Sequence, residues 1–217
     1  FVQISTDEVY GPAPHGHSHV EGEVLRPSNP YSASKAAQEM IAFSYWRTYG
    51  VPLFITNTMN NFGERQHPEK YVPMVMKKIL HKEKIEVHGK QKENGDWDIG
   101  SRVWLHARNH ADALQYILSE IPVKDYDDDT PEPERFNIAG EKEINNLEIV
   151  EMIAEIFEMY PYYELVDFHT SRPGHDLRYS LDGTKLNEYG WKAPMTLEES
   201  FEKTVNWTLK HPEWLTT

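Results

Sequence analysis

Short, mostly apolar runs hand over to polar loops and then to amphipathic helices all along this chain. That alternation leaves few folds open. The first run, Phe1-Val2-Gln3-Ile4, ends directly in Ser5-Thr6-Asp7-Glu8, and a second, residues 53–57, ends in Asn60-Asn61-Phe62-Gly63. Brief apolar strands with polar chemistry at their carboxyl ends suit a parallel sheet buried on both faces. Further strands are expected at 84–88, 102–105, 135–138 and 165–168. Helices are expected at 31–49, 72–81, 110–120, from Asn145 or Asn146 to 157, at 182–189 and at 196–210. Ala33, Ala36, Ala37, Met40, Ile41 and Tyr45 mark an apolar stripe on the first helix, which Gly50 and Pro52 close. Thr196 and Glu199 form a capping-box pattern at the last one. Residues 6–28 and 89–101 read as long loops, the second a polar insertion. Strand and helix in alternation give an α/β fold with a parallel sheet.

Composition narrows the function. The 217 residues contain no Cys, which excludes disulfides and thiolate chemistry and fits a reducing compartment. A net charge of −13 argues against a nucleic-acid partner. No run approaches the ~18 apolar residues of a membrane helix, and none of the sequence reads as a signal peptide; a cytoplasmic location is expected. The opening Phe1-Val2-Gln3-Ile4 reads as a buried strand already under way, so the chain is expected to be the C-terminal portion of something longer.

Two clusters carry chemistry. Tyr31 and Lys35 stand four apart at the start of a helix, on one face, where an ammonium favours a phenolate and turns Tyr31 into a base. Taken alone, Tyr-x-x-x-Lys occurs often by chance. Thr6, Asp7 and Glu8 follow the first strand: a hydroxyl to hold a substrate oxygen, and two carboxyls that can divide acid and base work if their environments differ. Taken alone, that triplet reads more readily as a polar turn with Asp7 capping. His15, His17 and His19 alternate in the following loop, but Gly16, Ser18 and the neighbouring prolines favour solvated histidines, and no metal site is expected.

Six ordered motifs then carry a resemblance. They are Ser-Thr-Asp-Glu-Val-Tyr-Gly at 5–11, Pro-Ser-Asn-Pro-Tyr-Ser-Ala-Ser-Lys at 27–35, Asn-Asn-Phe-Gly at 60–63 and Pro-Glu-Lys at 68–70, with Arg-Val-Trp-Leu-His at 102–106 and Arg-Pro-Gly-His-Asp-Leu-Arg-Tyr at 172–179. The chain resembles the extended short-chain dehydrogenase/reductase superfamily, and within it the nucleotide-sugar 4,6-dehydratases of the dTDP-glucose 4,6-dehydratase type. The resemblance implies NAD as cofactor, a nucleotide-diphosphate-sugar as substrate and a 4-keto-6-deoxy sugar as product. It implies that Tyr31 deprotonates the 4-hydroxyl, Lys35 tunes Tyr31 and holds the nicotinamide ribose, and Thr6 orients the substrate. Glu8 removes the proton on carbon 5 and Asp7 protonates the departing 6-hydroxyl. Asn60 is implied near the nicotinamide. Asn61, Glu69, Lys70, Tyr71, Arg102, Arg172, His175 and Tyr179 are implied around the nucleotide-sugar, with the two arginines as diphosphate clamps. Which base the nucleotide carries stays open.

The resemblance also implies the architecture: the C-terminal part of an NAD-binding Rossmann domain, a doubly wound parallel sheet, plus a small α/β lobe for substrate. Residues 1–60 and 102–138 are expected in the first, 61–101 and 139–217 in the second. It implies a homodimer through the helices at 31–49 and 72–81, with Phe43, Trp46, Met74 and Lys78 as contact candidates. The family pattern departs at Val103 and Asn109, where Asp is usual. No glycine-rich dinucleotide fingerprint follows a strand in these 217 residues, so this stretch by itself is expected to be inactive. The competing readings are a truncated or degenerate homologue that binds nucleotide-sugar without turnover, and a nucleotide-sugar epimerase or decarboxylase.

Overall fold

The computed structural model describes residues 1–127, 130–167 and 178–216. Strand β1 (Val2–Thr6) runs into a 3-10 turn (Asp7–Tyr10), and α1 (Pro30–Tyr49) returns the chain to β2 (Phe54–Thr58). The short β3 (Asn61–Phe62) and α2 (Tyr71–Leu80) lead to β4 (Ile85–Gln91) and β5 (Trp97–Ile99). Next come β6 (Ser101–Val103), β7 (Leu105–His106), α3 (Ala107–Glu120) and β8 (Glu134–Ile138). The chain finishes with β9 (Glu143–Asn145), α4 (Asn146–Ile156), β10 (Tyr163–Asp167), α5 (Thr184–Glu188), α6 (Leu197–Lys210) and a 3-10 turn (Pro212–Leu215).

The parallel α/β expectation holds. One sheet has the order β1-β2-β8, all parallel, with Thr6 opposite Thr58 and Thr58 opposite Ile138. The carboxyl ends of the three strands are therefore level. A second sheet, β10-β4-β5, joins a parallel pair to an antiparallel one. Two further pairs are small: β3-β7, which is parallel, and β6-β9, which is antiparallel. Two large apolar clusters support this frame. Phe54, Phe136, Ile138 and Ile117 pack beside the first sheet, joined by Leu186 and Trp191 from the α5 region. Phe62, Val75, Ile79, Val87, Ile153 and Phe201 build the other. Within it Phe62 and Phe201 stack with ring centres 4.2 Å apart.

Several boundaries differ from the sequence reading, each for a local reason. The supposed polar insertion at 89–101 is largely a hairpin: Gly89 pairs with Ile99 and Gln91 with Trp97, and Gly95 at φ 90° makes the turn between β4 and β5. The expected strand at 102–105 is two strands pairing with different partners, Arg102 with Ile144 and Leu105 with Asn61. Helix α3 begins at Ala107 because the His106 ring accepts from the Arg108 N–H and caps it. The capping box at Thr196 and Glu199 is present, and Asn145, not Asn146, caps α4.

The apolar stripe proposed for α1 is not its buried face. Ser32, Glu39, Ala42 and Trp46 point inward, while Met40, Ile41 and Tyr45 are exposed. Polar Ser32 and Glu39 can face in because each has partners. Ser32 completes the capping box with Asn29, and Glu39 meets Arg135 at 2.7 Å and Asn57 at 3.0 Å. Trp46 is fully buried, donating from Nε1 to the Lys124 carbonyl at 2.9 Å, so it is no contact candidate on this surface. No helix of the described residues is long and apolar enough to cross a membrane.

Candidate active site

The carboxyl end of β1 concentrates the reactive groups. Thr6 is the last strand residue and the cap of the 3-10 turn; its oxygen accepts from the Glu8 N–H at 3.4 Å. Its hydroxyl donates to Asp7 Oδ1 at 2.8 Å, and Asp7 is buried with Oδ2 lacking any hydrogen-bond partner. Burial pushes the Asp7 carboxyl up to about 6, with the Thr6 hydrogen bond and the Arg102 charge pulling the other way. Glu8 is half-buried, and its Oε2 accepts from Asn29 Nδ2 at 2.8 Å. Two adjacent carboxyls thus sit in different surroundings.

Tyr31 enters from the first turn of α1, about half exposed. Partial burial and the Glu8 charge push its phenol above the ordinary value, and the Thr6 hydroxyl opposes them. Thr6, Asp7, Glu8 and Tyr31 therefore act on one another, as the sequence suggested. Lys35 does not complete the set in the expected way. Its ammonium donates to the Ile4 carbonyl at 2.7 Å and to Gln38 Oε1 at 3.3 Å. Helical spacing placed Lys35 on the right face, but β1 has a paired neighbour on one side only among the described residues, and its backbone offers the ammonium a nearer acceptor. The phenol is raised where the spacing argument had it lowered.

A buried polar network that the sequence reading missed fixes this end of the sheet. Asn57 Nδ2 donates to the Thr6 carbonyl at 3.1 Å and to Glu39 Oε1 at 3.0 Å. Arg135 donates to Asn57 Oδ1 at 2.7 Å, and Tyr10 donates to Asn137 Oδ1 at 3.2 Å. Residues from β1, β2, β8 and α1 are locked together, and a satisfied network of this kind confers rigidity. An Asn late in each of two otherwise strand-like runs, Asn57 and Asn137, was its only signal.

The other expected site residues divide. Asn60 is exposed beyond β2, and Asn61 donates to the Met59 carbonyl at 3.3 Å while its Oδ1 is buried without a partner. Glu69 and Lys70 are exposed and pair at 3.4 Å just ahead of α2. Tyr71 is anchored against the second apolar cluster: its hydroxyl donates to the Asn146 carbonyl at 2.8 Å, its ring stacks on Trp104, and burial drives its pKa up. The Arg102 guanidinium lies 4.7 Å from the centre of the buried Tyr179 ring, and its charge acts on Asp7. Arg172 and His175 lie outside the described residues. Asn109, which stands where the family has Asp, is buried and donates to the Met195 carbonyl at 2.8 Å.

Two further features were not legible in the sequence. Arg178 makes a two-pronged pair with Glu143, at 2.8 and 2.7 Å, and donates to the Pro14 carbonyl at 2.7 Å, fastening the loop after the 3-10 turn to β9. The loop histidines are not simply solvated either. His19 is buried, 2.7 Å from Glu23, which also meets His17 at 3.2 Å.

The parallel α/β fold that carries these groups resembles that of NAD-binding Rossmann-type dehydratases and epimerases. The GDP-mannose 4,6 dehydratase family profile matches residues 1–204, and the chain belongs to that family. It is 34% identical over 223 residues to the dTDP-glucose 4,6-dehydratase of Xanthomonas campestris pv. campestris, covering 99% of this chain and 59% of the relative. Its structure resembles that of dTDP-glucose 4,6-dehydratase from Bacillus anthracis in complex with NAD, with a TM-score of 0.82 and 33% identity, over 99% of this chain and 63% of the other. It also resembles the UDP-glucose 4-epimerase of Thermus thermophilus in complex with NAD, with a TM-score of 0.80 and 25% identity, over 94% and 62% of the two chains. The chain spans about three fifths of the length of the curated relatives it matches.

Proposed function

We propose that the protein to which this chain belongs is an NAD-dependent nucleotide-sugar 4,6-dehydratase, a lyase of deoxysugar biosynthesis. Its substrate in this reading is a nucleotide-diphosphate-glucose, dTDP-glucose first, and its product the 4-keto-6-deoxy sugar. The observation that carries the reading is Asp7: a buried carboxyl with one bare oxygen, raised to about 6, next to a differently held Glu8 and within the influence of Tyr31. A dehydratase needs that pair, one group to donate a proton and one to take one.

The residues present suit the nicotinamide end of NAD. Tyr31, in the first turn of α1, and Asn60, beyond the end of β2, are exposed, and the Lys35 ammonium rests on a backbone carbonyl that it can exchange for a ribose hydroxyl. NAD, when bound, would take a hydride from carbon 4 of the sugar and return it at carbon 6 once the hydroxyl there has left, while Glu8 returns a proton to carbon 5. With the Lys35 ammonium released from the Ile4 carbonyl and turned toward it, Tyr31 becomes the phenolate that takes the 4-hydroxyl proton, while Thr6 holds that oxygen. Glu8, oriented by Asn29, removes the proton on carbon 5, which the neighbouring ketone has made acidic. Asp7 gives its proton to the departing 6-hydroxyl. Arg102, with Arg172, Asn61 and Lys70, holds the diphosphate, and Glu69 and His175 line the nucleotide-sugar, while Tyr71, packed against Trp104, and Tyr179, buried under Arg102, back that wall from inside. Pairing Arg102 with a diphosphate would remove a charge that lowers Asp7, and so leave Asp7 a better-protonated acid.

The division into a Rossmann remainder (1–60, 102–138) and a substrate lobe (61–101, 139–217) belongs to the same proposal, as does a cytoplasmic location. So does a homodimer. Exposed Met40, Ile41, Tyr45 and Tyr49 make α1 the better contact surface, because α2 has Val72, Val75, Met76 and Ile79 in its own lobe. Sedimentation of the full-length protein as a monomer at micromolar concentration would remove that part. Epimerisation, which the fold also accommodates, leaves Asp7 and Glu8 without a task. Incubating the full-length protein and NAD with each nucleotide-glucose, followed by mass spectrometry, decides among these readings: loss of one water means dehydratase, an unchanged mass with altered stereochemistry means epimerase, and binding without change means neither.

A further inference from the structure

We propose that His17, His19 and Glu23 form a site for one divalent transition-metal ion of the zinc class, bound through His17 Nε2, His19 Nδ1 and the Glu23 carboxylate. The three groups stand within 4.8 Å of one another. Glu23 reaches His17 Nε2 at 3.2 Å with one oxygen and His19 Nδ1 at 2.7 Å with the other. Ligand atoms around a tetrahedral zinc, bonded at about 2.0–2.1 Å, stand about 3.3 Å apart. Measured from the single oxygen Glu23 Oε2, His17 Nε2 at 3.4 Å is already at that spacing, His19 Nδ1 at 2.7 Å has to move out by about half an ångström, and the ligand atoms of the two histidines lie within 4.8 Å of each other.

The triangle is held by groups that have no other evident reason to converge. The His19 backbone is fixed from three directions. Its N–H donates to the Ser180 carbonyl at 2.9 Å, and its own carbonyl accepts from Asp182 N and Asn137 Nδ2, each at 2.9 Å. Its ring stacks on Tyr10, 5.3 Å between centres and 15° between planes. Glu23 is turned back onto the ring by Gly22 at φ 89°, and its Oε1 also accepts from the Val20 N–H at 3.0 Å. His17 meets the His19 ring edge-on at 5.0 Å. The ligands are thus placed before any ion arrives, on a His-x-His-x3-Glu pattern within one loop.

The donor set selects the ion. Two imidazoles and one carboxylate suit zinc, copper, nickel or iron and disfavour the all-oxygen preference of magnesium and calcium. Three protein ligands leave a coordination position free. The triad lines a cleft whose other walls are Tyr10, Pro12, Pro14, Val24 and Arg26, so that position has access from outside. His19 Nε2 is buried and makes no hydrogen bond, leaving Glu23 alone to set the ring's proton on Nδ1. The ion takes the place of that proton, which moves to Nε2. Because Tyr10 ends the turn that carries Asp7 and Glu8, the ion would clamp the loop behind the reactive groups while touching none of them.

Zinc titration of the full-length, metal-stripped protein by calorimetry tests this, with His17→Gln, Glu23→Gln and His15→Gln variants alongside. His17 and Glu23 are partly exposed, so these substitutions leave the core intact. The expected result is one equivalent of zinc on the parent and on H15Q, a thermal transition that rises with zinc, no response to magnesium, and an affinity lower by at least about tenfold in H17Q and in E23Q. Absence of saturable zinc binding overturns the proposal. Binding that survives both H17Q and E23Q unchanged, or that is lost in H15Q, overturns it as well.

Discussion

Asn29 holds Glu8 and caps helix α1 with the two ends of one side-chain amide. Its Nδ2 donates to Glu8 Oε2 at 2.8 Å, and its Oδ1 accepts from the Ser32 N–H at 2.9 Å. The carboxylate assigned as the carbon base and the helix that presents Tyr31 are thereby set against each other by one residue. Asn29 stands directly ahead of the helix expected at 31–49, but its hold on Glu8 needed the fold to bring residue 8 beside residue 29.

Two substitutions separate those tasks. Asn29→Ala removes both, with about 1 kcal/mol lost from the missing cap and a Glu8 free to turn. Asn29→Asp keeps a good capping oxygen but places a like charge against Glu8. The expected outcome in the full-length protein is near-parental thermal stability for N29D and lowered stability for N29A, with turnover depressed in both. Full turnover in N29D would mean that Glu8 does not depend on this amide.

Tyr31→Phe and Glu8→Gln should fail at different stages. The phenylalanine keeps the ring but has no group to take the 4-hydroxyl proton, so nucleotide-sugar binding persists and oxidation stops. The glutamine leaves Tyr31 and Thr6 in place, so oxidation proceeds and elimination stalls, with a 4-keto hexose trapped on the protein. Quench and mass analysis of single-turnover mixtures distinguishes the two. Identical failure at oxidation would refute the division of roles.

Gly140 is required by packing. Its φ is not in the left-handed region, but a Cβ there would lie 2.0 Å from the Trp104 carbonyl oxygen, a backbone atom with no room to retreat. Gly140→Ala should therefore cost about 3 kcal/mol, the upper range for overpacking, or prevent folding. Gly16→Ala, where nothing lies within 4 Å, should cost only what its φ of 76° demands. A denaturant midpoint for G140A equal to the parent's would show that the strands shift more freely than their pairing suggests.

What the sequence made legible was what depends on near neighbours. The first strand, read one residue short of Thr6, the helix at 31–49, the cap at Thr196 and the cap at Asn145, with Asn146 as its alternative, are all written within about four residues of themselves. The buried face of α1 was not legible, because Glu39 faces inward only when Arg135 and Asn57, from two other strands, are there to meet it. The Lys35 contact was missed for the same reason: helical spacing says which face a side chain leaves from, and the Ile4 carbonyl decides where it ends. His19 looked solvated from its Gly- and Pro-rich surroundings. Its burial is set by Tyr10, Ser180 and Asn137, two of them more than a hundred residues away.

The Asp7 carboxyl should make stability fall as pH rises. Its ordinary value is 3.8 and burial lifts it to about 6 in the folded chain, so the folded state holds a proton that the unfolded state releases. A carboxyl raised in this way contributes fully below the unfolded value and loses that contribution as pH climbs through the folded one. The difference corresponds to about 3 kcal/mol between pH near 4 and pH above 6. Asp7→Asn keeps the shape and cannot ionise, so it should remove this component of the pH dependence and stabilise the protein at pH 8. Thr6 can still donate to the amide oxygen that replaces Oδ1. The same variant loses the proton donor for the departing hydroxyl, so it should be more stable and nearly inactive at once. Thermal melts of parent and D7N at pH 4.5 and pH 8 read the first effect and product formation reads the second. If D7N is less stable than the parent at pH 8, Asp7 is held as a carboxylate and cannot be the acid.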